Sequence, residues 1–323
     1  MKAVVVREAG TPEVLKVEEM PIPKPKDGWV LIKVKVFGLN RSEMFTRQGH
    51  SPNVKFPRIL GIECVGLIED ANGTNFKEGQ KVAAIMGGMG RDFDGGYAEY
   101  TTVPKGNVFP LETDLDWKVL GAIPEMFQTA YGSLISGLEI KSGQTLLIRG
   151  GTSSIGMASS TIAKNIGLKV VSTTRNPNKI EILKEHGVDE VIIDDGSIAD
   201  KVRESFPNGV ERVLELVGAK TLLDSLQCAA PGGIVCMTGI LGNSWTLNEF
   251  TPMDDIPHKV RLTVYTGESK DLSVERLQEF VDSVASGENQ IKIDRTFSLD
   301  EIVEAHRYME SNQASGKLVV VVD

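Results

Sequence analysis

The segment that most constrains this chain is Leu146-Leu147-Ile148-Arg149-Gly150-Gly151-Thr152-Ser153-Ser154-Ile155-Gly156-Met157-Ala158. An apolar run ends in a turn of small residues, and the turn opens a second apolar segment that is compatible with a helix. A strand that feeds a helix in this way is the repeating unit of a parallel sheet. The N-terminus of such a helix carries unpaired N–H groups and the positive end of the helix dipole, so it can seat a dinucleotide pyrophosphate. Gly151 reads as the residue of the tight turn, and Gly156 as the one that lets the helix lie close to the strand. Ser153 stands where the G-x-G-x-x-G pattern has its middle glycine. The motif alone is therefore a weak signal, since packing accounts for many such turns.

The residues beyond the turn sharpen this reading. Residues 169–174 form a second β-branched, apolar run, and Thr174-Arg175-Asn176 comes where an Asp or Glu would read a free ribose hydroxyl. Arg175 is suited instead to a 2′-phosphate, which a guanidinium grips with paired donors. Lys179 stands at the start of the next helix, behind an Asn176-Pro177 N-cap and first-turn proline. The pair favours NADPH over NADH; the alternative is that both are ordinary solvated surface charges.

The rest of the chain falls into two patterns. Up to about residue 115 it shows short strands and Gly/Pro turns, with strands expected at 29–36, 81–86 and 97–103 and a glycine-rich loop at 87–96. In 29–36, Val30, Ile32, Val34 and Val36 share one face, and Lys33 and Lys35 the other. From about 116 to 265 strands alternate with helices. The expected strands are 145–149, 169–174, 190–193, 212–217, 234–238 and 262–266, which implies a doubly wound parallel sheet. A helix is expected at 272–286. Ser298 and Glu301 form a capping box between Phe297 and Ile302, starting a helix to about 310, and 318–322 closes as a buried strand.

At 323 residues with a net charge of −9, the chain is long enough for two cores and lacks the basic, aromatic-interleaved stretches of a nucleic-acid face. No apolar run has membrane-spanning length, and Met1-Lys2-Ala3-Val4-Val5-Val6 does not read as a leader. Three scattered cysteines, Cys64, Cys228 and Cys236, suit neither a disulfide framework nor a zinc cluster, so a reducing cytoplasm is the expected location. None of the five tyrosines has Lys four residues on, and there is no G-x-S-x-G elbow or G-K-[ST] phosphate loop.

Taken together, several segments carry a resemblance: Gly38-Leu39-Asn40-Arg41-Ser42-Glu43, Gly61-Ile62-Glu63-Cys64-Val65-Gly66, Gly96-Tyr97-Ala98-Glu99-Tyr100, Ala122-Ile123-Pro124-Glu125, Thr129-Ala130-Tyr131, the turn at 150–156, Glu304-Ala305-His306 and Gly316-Lys317-Leu318. In order and spacing the chain resembles the zinc-independent quinone oxidoreductase branch of the medium-chain dehydrogenase/reductase superfamily over nearly its whole length. The resemblance implies an α/β fold, with a doubly wound Rossmann cofactor domain (121–266) inserted into a GroES-like, mainly β catalytic domain (1–120, completed by 267–323). It implies cofactor contacts at Thr129, Gly151, Ser153, Ser154, Ile155, Gly156, Thr174, Arg175, Lys179, Gly239, Ile240, Leu241 and Asn312. It also implies a homodimer paired through the strand Leu262-Thr263-Val264-Tyr265-Thr266, an apolar edge that would otherwise be an aggregation hazard.

The superfamily's alcohol dehydrogenases hold a catalytic zinc. Aligned on the quoted motifs, the ligand positions fall at Asn40, Ile62 and Glu125, and Ile62 cannot ligate a metal at all. No metal is therefore expected, and alcohol oxidation loses the Lewis acid it would need. The implied reaction is hydride delivery to a quinone or to a C=C bond conjugated to a carbonyl. Asn40 would be a neutral hydrogen-bond donor near the nicotinamide, and Thr129 would lie near its carboxamide. Their alternatives are a turn-stabilising Asn and a plain helix Thr. Phe45 and Ser51 stand where relatives carry a Tyr, so protonation falls to solvent. Asp194 stands where a Tyr often lies against the 2′-phosphate, and an inward carboxylate would oppose it. Arg149 reads as a solvated or ion-paired strand end. The rival reading is a cofactor-binding structural or regulatory protein with little turnover.

Overall fold

The computed structural model describes residues 1–322. The chain makes two compact units: Met1–Glu125 joined by the chain from Glu268 onward, and Met126–Gly267. The first unit begins with β1 (Lys2–Val6), β2 (Leu15–Glu19), β3 (Trp29–Gly38), β4 (Arg58–Ile59), β5 (Glu63–Asp70), β6 (Lys81–Ile85), β7 (Tyr100–Pro104) and β8 (Val108–Pro110). β3 is its spine, pairing antiparallel with β5 and β7. The alternation in its sequence is explained by burial: Val30, Ile32, Val34 and Val36 are buried, while Lys33 and Lys35 are half-buried. The strand expected from residue 97 starts only at Tyr100. Tyr97 instead turns inward, stacks on Phe37 at 4.6 Å and places its hydroxyl 3.2 Å from His306 Nε2. His306 is thus a core residue; burial, with Arg47 nearby, pushes it down to about 3.

The second unit holds β9 (Thr145–Arg149), β10 (Lys169–Thr174), β11 (Glu190–Ile193), β12 (Val210–Glu215), β13 (Ala229–Met237) and β14 (Arg261–Val264). Among the described residues they form one sheet in the order β11-β10-β9-β12-β13-β14, and every pairing in it is parallel. The order reverses direction between β9 and β12, which is the switch point at which open α/β sheets bind ligands. Leu147, Val171, Ile192, Val213 and Val235 supply one core, filled from the helices by Ile198, Val202, Leu222 and Leu226. β12 stops at Glu215 rather than at 217. The Glu215 carboxylate accepts from the N–H groups of Val217 (2.6 Å) and Gly218 (2.9 Å), so the backbone turns there.

Arg149, the last residue of β9, is wholly buried. It is the ion-paired strand end that the sequence allowed, but it is not solvated. Its Nε and Nη2 grip Asp194 at 2.8 and 3.0 Å. Its Nη1 donates to Asp224 (2.6 Å), Ser225 Oγ (3.1 Å) and the Thr221 carbonyl (3.1 Å). Asp224 in turn accepts from the Ile198 N–H at 2.8 Å. One guanidinium thereby ties the ends of β9 and β11 to the helix Leu222–Gln227. Burial opposes its charge, but Asp194 outweighs that and raises it.

The chain then returns to the first unit through the helix Val274–Ala285, β15 (Ile293–Ser298), the helix Ile302–Glu310 and β16 (Lys317–Val321). Ser298 and Glu301 do form the capping box, which opens a short 3-10 turn before that second helix. β16 pairs antiparallel with β3, Val319 opposite Gly38, so the end of the chain lies beside its central early strand.

The Arg149 network generates a stability prediction. Arg149→Met keeps the bulk but leaves Asp194 and Asp224 without their buried partner. It should cost on the order of 3–5 kcal/mol in urea unfolding. A loss below about 1 kcal/mol, the scale of a surface pair, would mean that the acids are compensated elsewhere.

Candidate functional site

The small-residue turn after β9 is built as a cradle. Gly150, at φ +91°, takes the left-handed conformation. This corrects the expectation for Gly151: the tight turn is at Gly150, and Gly151 is needed because a Cβ there would stand 1.8 Å from Ser172 Oγ on β10. A Cβ on Gly156 would meet the Gly151 and Gly150 carbonyl oxygens at 2.6 and 2.7 Å, so the helix packs against the turn itself. Ser153 caps the helix Ser154–Ile166: its Oγ accepts from the Gly156 N–H at 3.1 Å and donates to the Gly150 carbonyl at 2.9 Å. The residue that breaks the glycine pattern therefore replaces it with a cap. Ser154 and Ile155 form the first turn above it, both half-buried.

The Gly150 and Gly151 N–H groups donate to Thr173 Oγ1 and the Thr173 carbonyl, both at 3.1 Å, which brings in the end of β10. Thr174 is buried and Arg175 exposed at that end. Lys179 is half-buried at the close of the 3-10 turn Pro177–Lys179, which Asn176 caps. Gly239 lies so near β12 that a Cβ would stand 2.3 Å from the Leu216 carbonyl oxygen. Ile240 comes next, and the Leu241 Cδ1 lies 3.0 Å from the Cβ position of Gly150. Thr129 gives its carbonyl to Ser133 Oγ at 2.6 Å, and Ser133 Oγ lies 2.9 Å from Thr238 Oγ1 just before Gly239. Asp194 does not face outward as a free charge. It accepts from Arg149 and, at 2.9 Å, from the Gly196 N–H, and the Arg149 pairing outweighs burial and holds its carboxyl below the usual range. A turn of this shape, with glycines that no Cβ could replace at a helix N-terminus, fits a dinucleotide.

Asn40 and Asn312 belong to the other unit. Asn312, in the left-handed region at φ +59°, accepts from Arg41 Nη2 through its Oδ1. Asn40 holds the N-cap position of the helix Arg41–Arg47, yet its side chain makes no cap. It is turned into a buried polar cluster. Its Oδ1 accepts from Lys317 Nζ at 2.5 Å, and its Nδ2 donates to Glu63 Oε1 at 2.9 Å and to Glu43 Oε1 at 3.3 Å. Lys317 Nζ also lies 3.0 Å from Glu63 Oε1 and 3.1 Å from Glu125 Oε2. The remaining Glu63 oxygen accepts from the Glu125 N–H at 2.8 Å. Gly38 leaves room for this group, since a Cβ would lie 2.4 Å from Glu63 Oε1 and 2.5 Å from Lys317 Cε.

Burial works against the Lys317 charge, but Glu63 and Glu125 outweigh it and hold the ammonium above the ordinary lysine range. Glu43 is the odd member. Burial, with the Glu63 charge adding to it, pushes its carboxyl up to about 7, and its Oε2 finds no partner among the described residues.

Lys317, Glu63 and Glu43 were not among the site residues expected from the sequence. The signal was present: a Lys that opens Leu318-Val319-Val320-Val321 and a Glu inside Gly61-Ile62-Glu63-Cys64-Val65 put charge into runs that otherwise read as core. Two of the three superfamily zinc positions, Asn40 and Glu125, do lie in this cluster, but an ammonium stands among their oxygens. These residues do not fit a zinc ion: the ammonium occupies the point on which the oxygens converge, and neither thiolate nor imidazole stands at these positions. Among the described residues no group of three or more His, Cys, Asp or Glu could hold a metal.

Comparison with known proteins agrees with this geometry. Residues 26–113 match the alcohol dehydrogenase GroES-like domain, and residues 186–320 match the zinc-binding dehydrogenase family. The human quinone oxidoreductase is 29% identical over 333 residues, covering 100% of this chain and 98% of that protein. A quinone oxidoreductase of Pseudomonas aeruginosa is 26% identical over 330 residues and covers 97% of both. The solved structure of mycobacterial Rv1454c complexed with NADPH superposes with a TM-score of 0.88 at 25% identity, covering 99% of each chain. The cradle and these relatives make the protein a nicotinamide-dependent oxidoreductase, and the chain belongs to the zinc-independent quinone oxidoreductase branch of the medium-chain dehydrogenase/reductase superfamily.

Proposed function

We propose that this protein is an NADPH-dependent, metal-free reductase of quinones or of C=C bonds conjugated to a carbonyl. The observation that carries the reading is the combination of a dinucleotide cradle with a buried cluster whose cation is an ammonium rather than a metal. The bound nicotinamide supplies the hydride. Everything else falls to the chain's own residues, through positioning and fixed dipoles. Asn40 supplies a neutral donor to the substrate oxygen. Of its two N–H contacts, the 3.3 Å one to Glu43 is the weaker and is the one a substrate oxygen exchanges for. No side chain of the cluster is both exposed and acidic enough to return the proton, so solvent protonates the emerging anion. Saturated alcohols are not substrates, because nothing in this donor set polarises an unactivated carbonyl as zinc does. The three buried thiols, Cys64, Cys228 and Cys236, suit a reducing cytoplasm. Oxidation of NADPH with 9,10-phenanthrenequinone or small enones tests the reading. Binding of NADPH without turnover on any of them would favour a regulatory protein instead.

Arg175 and Lys179 form the expected seat of the 2′-phosphate. The Arg149 grip on Asp194 supports this, because the acid expected to oppose the phosphate is already paired. Arg175→Ala should weaken NADPH binding by about 1–3 kcal/mol, the worth of a charge-assisted hydrogen bond, and leave NADH nearly unchanged. Equal wild-type dissociation constants for the two cofactors would refute the preference.

Asn40→Ala should lower the turnover number roughly 10–1000-fold, the range for losing one preorganised donor. Full activity of this variant on the best quinone or enone found would remove Asn40 from the mechanism.

A homodimer through β14 completes the proposal. β14 is a sheet edge, and Val264 on it is 64% exposed. The Tyr265 N–H bonds inward to the Met237 carbonyl at 3.2 Å, so alternation turns the Val264 N–H toward the open edge. Val264→Pro should therefore weaken the dimer by removing that donor. Light scattering that finds a monomer at micromolar concentration would exclude this interface.

A further inference from the structure

The buried cluster of the first unit contains a cation with no room for another. Lys317 Nζ has three N–H donors and meets three oxygens, Asn40 Oδ1 at 2.5 Å, Glu63 Oε1 at 3.0 Å and Glu125 Oε2 at 3.1 Å. The ammonium is saturated, and its side chain is 1% exposed, as is that of Glu63. An ammonium can only donate. Whatever lies against it must present oxygen, so it dictates which end of the Asn40 amide faces inward. With Oδ1 held by Lys317, Nδ2 must point at Glu63 and Glu43. The carboxylates of Glu63 and Glu43, which accept, require the same orientation from the other side, so the amide is held at both ends, and its N-cap contact has been given up. Remove the ammonium and Oδ1 loses the donor that holds it at 2.5 Å, so the amide is fixed from one side only. Gly38 shows that the arrangement is built into the backbone, since any side chain there would collide with Glu63 and Lys317.

We propose that Lys317 is a positioning residue that serves as the resident cation of this centre. It stands among the side chains at two of the zinc-ligand positions and fixes Asn40 with its Nδ2 as donor. This rests on the proposed reductase reading for its activity test, although the structural part does not. Lys317→Ala removes three carbons and the nitrogen, the outline of propylammonium. Lys317→Met keeps most of the bulk and loses the charge and donors. Both variants, in the full chain, are compared with wild type for melting temperature and for turnover of 9,10-phenanthrenequinone, with either propylammonium chloride or tetramethylammonium chloride added at equal ionic strength. Propylammonium should raise the melting temperature of Lys317→Ala and recover much of a turnover loss on the order of tenfold or more, as for a misplaced donor. Tetramethylammonium, with a charge but no N–H, should do neither. Lys317→Met should not respond, and the KM for NADPH should stay within about twofold in all cases, because ground-state cofactor binding is untouched. Wild-type turnover in Lys317→Met would overturn the proposal. So would an equal response of Lys317→Ala to both salts, or variants that fail to fold and are not recovered by refolding in propylammonium. If wild type itself shows no turnover, the reductase reading fails, and the melting temperatures still decide whether Lys317 is the resident cation.

Discussion

The antiparallel pairing of β16 with β3 brings the end of the chain to its early central strand. Val319 lies opposite Gly38, and the Leu39 N–H donates to the Leu318 carbonyl at 2.9 Å. Since strand register is set in steps of one residue and side chains alternate with a period of two, a slip by one would turn Lys317 to the other face. The pairing therefore does more than close a sheet. It delivers an ammonium to a place where Glu63, on β5, and Glu125, after a long excursion, have already put two carboxylates. Without it the first unit would hold buried negative charge with no counterion, a condition that costs several kcal/mol per ion.

The same solution recurs in the second unit. Arg149 compensates Asp194 and Asp224 at the ends of the parallel strands as Lys317 compensates Glu63 and Glu125. The choice of cation matches the geometry. Asp194 is met side-on by two parallel N–H groups, which a planar guanidinium supplies and an ammonium cannot. The three oxygens around Lys317 converge on one point, which suits a compact ammonium. Both clusters back an element of the candidate site: Arg149 directly precedes the glycine turn, and Lys317 touches Asn40. Rigidity at these two places comes from buried charge pairs, which trade some stability for a defined geometry.

The fold was legible because its signals are periodic. The strands Thr145–Arg149, Lys169–Thr174 and Glu190–Ile193 have the expected limits, since β-branched runs bounded by turn residues leave little freedom. The limits shifted where a side chain intervened. Glu215 ends β12 early by capping the next N–H groups along the chain, and Tyr97 is drawn from the start of β7 into an aromatic stack. The cofactor turn was legible in its residues but not in their division of labour. That Gly151 must lack a side chain depends on its closeness to Ser172, a contact across the sheet that local sequence does not encode. The Lys317 cluster was legible only in fragments, because its members are spread from Asn40 to Lys317 and only the β3–β16 pairing assembles them.

The consequence for chemistry lies in the kind of cation the cluster holds. A metal with an open position polarises a substrate oxygen directly, which is what an alcohol or a simple carbonyl requires. An ammonium with all three donors committed has no open position, so on the proposed reading its field acts on substrate only through the groups it holds. Asn40 is such a group, and an amide donor is far weaker than a Lewis acid. A centre of this kind suits acceptors that are already electrophilic, such as quinones and conjugated C=C bonds, where the developing charge is delocalised and needs little stabilisation at one atom. On the proposed reading, a centre held by lysine narrows the substrates by their intrinsic reactivity.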